Sequence, residues 1–205
     1  MLDLSALASA AMTREPFDHF VATDLLDPDS LRAITDDFPA IERAGLFPLA
    51  ELRYGAAFAA LIDDIRSPAL AALMSEKFGL DLTDKPLMVT VRGHCQQKDG
   101  RIHTDTESKV VTALLYLNPA WSAEGGRLRL LRGPDDLNDK IAEVPPTGGT
   151  LVAFRRSDNS YHGHEPFVGP RRYVMFNWIA TQGAARREIT RHRLSAKLKR
   201  LVPAL

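Results

Sequence analysis

Thiol chemistry is almost absent from this chain: Cys95 is the one cysteine in 205 residues. A lone cysteine cannot form an internal disulfide, which excludes a disulfide scaffold and fits a reducing compartment. No apolar run approaches the ~20 residues that a membrane-spanning helix needs. The opening stretch, Met1 to Met12, is rich in Leu and Ala but carries Asp3 and lacks the basic leader of a secretory signal, so an amphipathic first helix and a cytoplasmic protein are expected. Excess charge is missing too. Lys plus Arg and Asp plus Glu each number 26, giving a net charge of zero, so nucleic acid and anionic membranes gain no support as main partners. There is no internal repeat and no low-complexity segment. At this length the expectation is one domain able to bury its own core.

What is present divides by character. Residues 1–80 read as mainly helical support. Leu2, Leu4, Leu7 and Ala8 form a helical stripe. Pro16 to Val21 reads as a short strand, and Asp27-Pro28-Asp29-Ser30 as a helix cap with Pro39 beyond the helix end. Ala56 to Ile65 and Pro68 to Phe78 are two further helices, the second stopped by Gly79. Residues 81–182 are β-rich, with strands expected at Leu87–Val91, Val110–Leu117, Gly126–Leu131, Ile141–Val144, Thr150–Phe154 and Arg172–Ile179. Short strands at close spacing indicate a sandwich or jelly roll. Residues 183–205 form a basic tail: Arg186 to Arg200 holds seven Lys/Arg against one Glu. Leu194, Leu198 and Leu201 give it an apolar stripe, read as docked on the barrel near the acidic segment Asp24 to Asp37.

The chemistry concentrates between Arg101 and Trp178. On a strand, His103 and Asp105 project from one face while Thr104 points away. One imidazole and one carboxylate make a weak signal alone. The stretch Tyr161 to His164 offers a third ligand. Two histidines and one carboxylate on one face of an octahedron leave three positions open, the arrangement of non-haem Fe(II) oxygenases. A chelating keto acid suits the remaining positive charge, and its far carboxylate calls for an arginine fork. Arg171 and Arg172 compete for that role, since strand alternation turns only one of them inward.

These residues resemble the Fe(II)/2-oxoglutarate-dependent dioxygenases, in particular the prolyl 4-hydroxylase-like branch. The resemblance runs through Gly100-Arg101-Ile102-His103-Thr104-Asp105, Thr112 to Asn118 with Trp121, and Gly125-Gly126-Arg127-Leu128. It continues through Gly149 to Phe154, His162-Gly163-His164-Glu165-Pro166, Arg172 and Trp178. Those elements cover roughly residues 87 to 180 in the family's order. The resemblance implies a double-stranded β-helix with helices packed on it, Fe(II) and 2-oxoglutarate, and ascorbate as a reductant. It also implies hydroxylation of a peptidyl proline, another amino acid residue or a small metabolite. It assigns His103, Asp105 and His162 as catalytic metal ligands. Pro166, four residues after His162, favours that histidine over His164. Counting back from Trp178 favours Arg172 for the far carboxylate. Where several relatives carry a tyrosine that touches the co-substrate, this chain has Leu115, which leaves Tyr116, Arg92 or His94 to replace it.

Two other classes use similar parts. A cupin-type isomerase or hydrolase would share the ligands without needing Arg172, and a degenerate binding module would rely on the basic tail. His19 and His192 read as surface or packing histidines, Tyr116 and Trp121 as core, and Arg155, Arg156 and Asp158 as a polar loop at the mouth.

Overall fold

The computed structural model describes residues 2–201, and side chains for residues 2–194. Two antiparallel sheets face each other, and helices cover the outer face of the larger one. The larger sheet contains β1 (His19–Ala22), β2 (Phe47–Pro48), β3 (Leu87–Cys95), β4 (Lys109–Tyr116), β7 (Leu151–Arg155) and β9 (Gly169–Ile179), in the order β1-β7-β4-β9-β3-β2. The smaller sheet is β6-β5-β8, formed by Lys140–Val144, Leu128–Leu131 and His162–Gly163. This is the expected mainly β jelly roll. Its non-consecutive strand order places residues distant in sequence at one end of the barrel.

Helices α1 (Leu4–Ser9), α2 (Pro28–Asp36), α3 (Ala56–Ile65) and α4 (Pro68–Phe78) have readable local causes. The Asp27 carboxylate accepts from the backbone N–H groups of Asp29 and Ser30, and Pro28 starts α2. Ser67 caps α4, which stops at Gly79 in the left-handed region at φ 63. Gly55 gives α3 no side-chain cap. The Asp37 carboxylate does so from across the chain, accepting from Ala57 N at 2.6 Å.

Strand alternation divides the core in two. Val91, Val111, Ala113, Leu115, Leu151, Ala153, Val174, Phe176 and Trp178 pack under the helices with Phe58, Leu61 and Met74. Leu114, Tyr116, Val152, Phe154, Tyr173 and Met175 face the smaller sheet and meet Leu128, Leu130 and Val144.

The tail forms α5 (Gln182–Leu201), which contacts β2, β3 and β9. Its acidic partners are Glu51, bound by Arg193 at 3.4 Å, and its own Glu188. The expected docking near Asp24–Asp37 is therefore corrected: α5 packs on β2, β3 and β9 and pairs with Glu51 instead. Leu194 is exposed, against the expected stripe, and the side chains of Leu198 and Leu201 lie outside the described residues. No described helix is long and apolar enough to cross a membrane.

Candidate active site

His103 and His162 are neighbours because their backbones pair. His103 N donates to His162 O at 3.1 Å and His162 N to His103 O at 3.0 Å, an antiparallel bridge that extends the smaller sheet by one residue. Glycine permits the approach. Gly100 has φ 96, and a Cβ there would lie 2.2 Å from the His164 carbonyl oxygen. The expected His103–Asp105 strand is only partly present: His103 makes a single bridge, and Asp105 follows in irregular backbone.

The ligand atoms of His103, Asp105 and His162 all lie within 4.8 Å of one another. Each histidine Nδ1 donates to a backbone carbonyl, that of Arg101 at 2.8 Å or Ser160 at 3.0 Å. A carbonyl can only accept, so the proton sits on Nδ1 and Nε2 is left as the metal donor. His103 is exposed whereas Asp105 and His162 are buried, so the cluster is open on one side. A nitrogen–nitrogen–carboxylate set with one open side fits a divalent iron that must also take a co-substrate.

Asp105 is held from both ends. Lys109 Nζ donates to Oδ1 at 2.6 Å, and Thr112 Oγ1 donates to Oδ2 at 2.5 Å. Burial would raise the carboxyl's pKa, but Lys109, His162 and these hydrogen bonds outweigh it and hold the group well below the carboxylate range. Burial pushes the His162 imidazole down to about 4, against the pull of Asp105, and lowers His164 to about 4, with Arg171 acting in the same direction.

One cavity, of about 280 Å³, is shared by these residues and by Arg171, Tyr173, His164 and Arg92. Arg171, not Arg172, lines it. Arg171 is 2% exposed. Its Nε donates to Gly126 O at 2.7 Å, a terminal nitrogen donates to Tyr116 Oη at 3.2 Å, and the guanidinium stacks on Tyr116 and Tyr173. Among the described residues no carboxylate forms an ion pair with it. Arg172 lies on the opposite face of β9, over the Phe38 ring. The expectation for Arg172 is thus corrected by strand parity: Tyr173 and Met175 face the cavity, so Arg171 does too, while Val174, Phe176 and Trp178 face the helices.

Parity also moves the tyrosine question. Leu115 packs under the helices, and the cavity-facing residues of β4 are Thr112 and Leu114, which line it, and Tyr116 behind them. Burial pushes the Tyr116 phenol up to about 12, so its neutral hydroxyl can accept from Arg171. Of the other candidates, Arg92 lines the cavity and donates to Asp99, whereas His94 does not line it and bridges to Ala44. His164 lines the cavity outside the three-residue cluster, its Nδ1 bonded to Glu165 O at 2.8 Å. Arg156 grips the Asp105 carbonyl from outside at 3.2 Å.

Sequence reasoning missed Lys109 and the contribution of α5, whose Arg191 and His192 line the cavity. Thr112 carried a faint signal, a hydroxyl inside an otherwise apolar strand. Lys109 carried none.

Fold and site together define a double-stranded β-helix with a two-histidine, one-carboxylate centre. Residues 90–180 match the family described as the 2OG-Fe(II) oxygenase superfamily. A prolyl-4-hydroxylase from Pseudomonas putida has a similar structure at 20% identity and TM-score 0.54, covering 87% of this chain and 97% of its own. The viral collagen prolyl hydroxylase vCPH of Paramecium Bursaria Chlorella virus-1, in complex with 2OG, is similar at 15% identity and TM-score 0.55, covering 80% and 96%. HygX from Streptomyces hygroscopicus, with nickel and 2-oxoglutarate bound, is similar at 16% identity and TM-score 0.52, covering 80% and 82%. At these identities the likeness is one of fold. No curated protein is a significant sequence match.

Proposed function

We propose that His103, Asp105 and His162 hold the iron, that Arg171 holds the far carboxylate of 2-oxoglutarate, and that the enzyme hydroxylates a C–H bond of an organic substrate at this cavity. The observation that carries this reading is Arg171. A fully buried guanidinium with no carboxylate partner is costly unless an anion completes it, and this one shares a cavity with a three-residue metal cluster. A cupin-type hydrolase or isomerase has no use for such a group.

The protein's own part is to bind and orient. Nε2 of each histidine points away from its anchored Nδ1. Lys109 and Thr112 fix the Asp105 carboxylate in one rotamer and keep it ionised. Tyr116 and Tyr173, set edge to face with each other, both pack against the Arg171 guanidinium, while Gly126 O anchors its Nε, leaving terminal N–H capacity for a carboxylate. Leu114, Leu128 and Met175 supply an apolar wall that limits water. When bound, iron and 2-oxoglutarate supply the oxidising chemistry: dioxygen and the keto acid are consumed, succinate and carbon dioxide leave, and one oxygen atom enters the substrate.

Anaerobic addition of Fe(II) and 2-oxoglutarate should generate a visible charge-transfer band. It should vanish in His103→Ala and Asp105→Ala, need far more 2-oxoglutarate in Arg171→Ala, and persist in Arg172→Ala. Folded wild-type protein that gives no band would falsify the assignment.

A further inference from the structure

Resting on the iron site proposed above, we infer that the substrate is a small molecule bearing a carboxylate or phosphate, and that Arg191 of α5 binds that anionic group. The first support is size. At about 280 Å³ the cavity is just below the range of ~300–1,000 Å³ typical of small-molecule sites, and it must hold the co-substrate as well. What remains suits a small metabolite.

The second support is charge. Arg92, Lys109, Arg171 and Arg191 line the cavity, and Asp105 is its one carboxylate. Lys109 offsets Asp105, Asp99 offsets Arg92 and Glu188 offsets Arg191. A divalent iron and a dianionic keto acid cancel each other. With Arg171 holding the far carboxylate of the keto acid, the sum over these groups leaves the loaded site with one net positive charge. A cationic substrate would meet no acidic partner there, whereas an anionic one is attracted.

The third support is a built clamp. Glu188 is 8% exposed and accepts from Thr106 Oγ1 at 3.2 Å, Ser108 Oγ at 3.0 Å and a terminal nitrogen of Arg191 at 2.6 Å. Thr106 and Ser108 belong to the loop that follows Asp105, so Glu188 pins α5 to the metal loop and sets Arg191 at the cavity wall. The bond to Glu188 engages one end of a planar guanidinium with five N–H donors, which leaves capacity to grip an anion. Glu188 is a positioning residue, and Arg191 would determine specificity.

The test uses the full-length anaerobic Fe(II)·2-oxoglutarate complex, titrated with L-aspartate, its isosteric amide L-asparagine, and inorganic phosphate. The charge-transfer band should shift saturably with aspartate or phosphate, and asparagine should require at least tenfold more. A stronger response to aspartate assigns a carboxylate, and a stronger response to phosphate assigns a phosphoryl group. Arg191→Ala, at an exposed position that leaves the core intact, should weaken the anion response at least tenfold while 2-oxoglutarate affinity stays within twofold; Arg191→Lys should restore part of it. An equal response to asparagine, no response to either anion, or a wild-type response in Arg191→Ala overturns the inference. Failure of the wild-type band itself would instead overturn the iron reading beneath it.

Discussion

The two faces of the six-stranded sheet run on the same strands and obey opposite rules. On β9, Val174, Phe176 and Trp178 point under the helices into a wholly apolar layer, while Arg171, Tyr173 and Met175 point toward the smaller sheet and the cavity. The helical face needs only matching volume, because apolar contacts are non-directional. The cavity face buries a guanidinium, a carboxylate and an ammonium, each of which needs a specific partner. One face therefore carries stability and the other carries chemistry. Substitutions two residues apart should have like consequences, and adjacent ones unlike.

The sharpest way to break this contrast is at Asp105. Asp105→Ala should abolish the Fe(II)·2-oxoglutarate band and succinate formation while the protein still melts cooperatively; turnover with normal iron affinity in that variant would refute the division. Next comes the adjacent arginine pair. Arg171→Ala should raise the 2-oxoglutarate concentration needed for half-saturation by about 100-fold, corresponding to the ~2–5 kcal/mol lost when a buried charge pair loses one partner. Arg172→Ala should change it by less than twofold, as read by titration of the band.

Phe176→Ala, one face away from the His103–Asp105–His162 cluster, should cost about 3–5 kcal/mol of folding stability in denaturant melts, with 2-oxoglutarate affinity retained at low temperature. A small loss there, or a loss of co-substrate binding without destabilisation, would blur the two faces. A smaller effect separates them by pH. Burial depresses His162 and His164 to about 4 from an ordinary 6.5, so between those values the unfolded chain binds more protons than the folded one. Their contribution to metal-free stability is complete above pH 6.5 and is lost as the pH falls through 4. His164→Gln should flatten the dependence of the melting temperature on pH over that window, and an unchanged slope would count against the buried neutral imidazole.

Much of this was legible beforehand for identifiable reasons. α2 and α4 carry their caps in their own residues, so local chemistry names them, whereas α3 takes its cap from the distant Asp37. The strands around the site announce themselves by β-branched and apolar runs, and the ligand motifs by their residue types. Other features had no local signature. β8 is two residues long, His162 and Gly163, and exists because it pairs with β5 and is bridged by His103 from far along the chain. The register of β9 decided between Arg171 and Arg172, since a shift of one residue exchanges the two faces of a strand.

The amino-acid order by itself determined the caps of α2 and α4 and the jelly-roll class, and it carried the histidine, carboxylate and arginine motifs that point to iron and keto-acid chemistry, because each is written in residue type and short spacing. Only the tertiary structure decided which arginine enters the cavity, that Lys109 and Thr112 hold Asp105, and that α5 brings Glu188 and Arg191 to the loop after Asp105. Those outcomes depend on sheet pairing and helix docking between distant segments, and nothing in the neighbouring sequence encodes them.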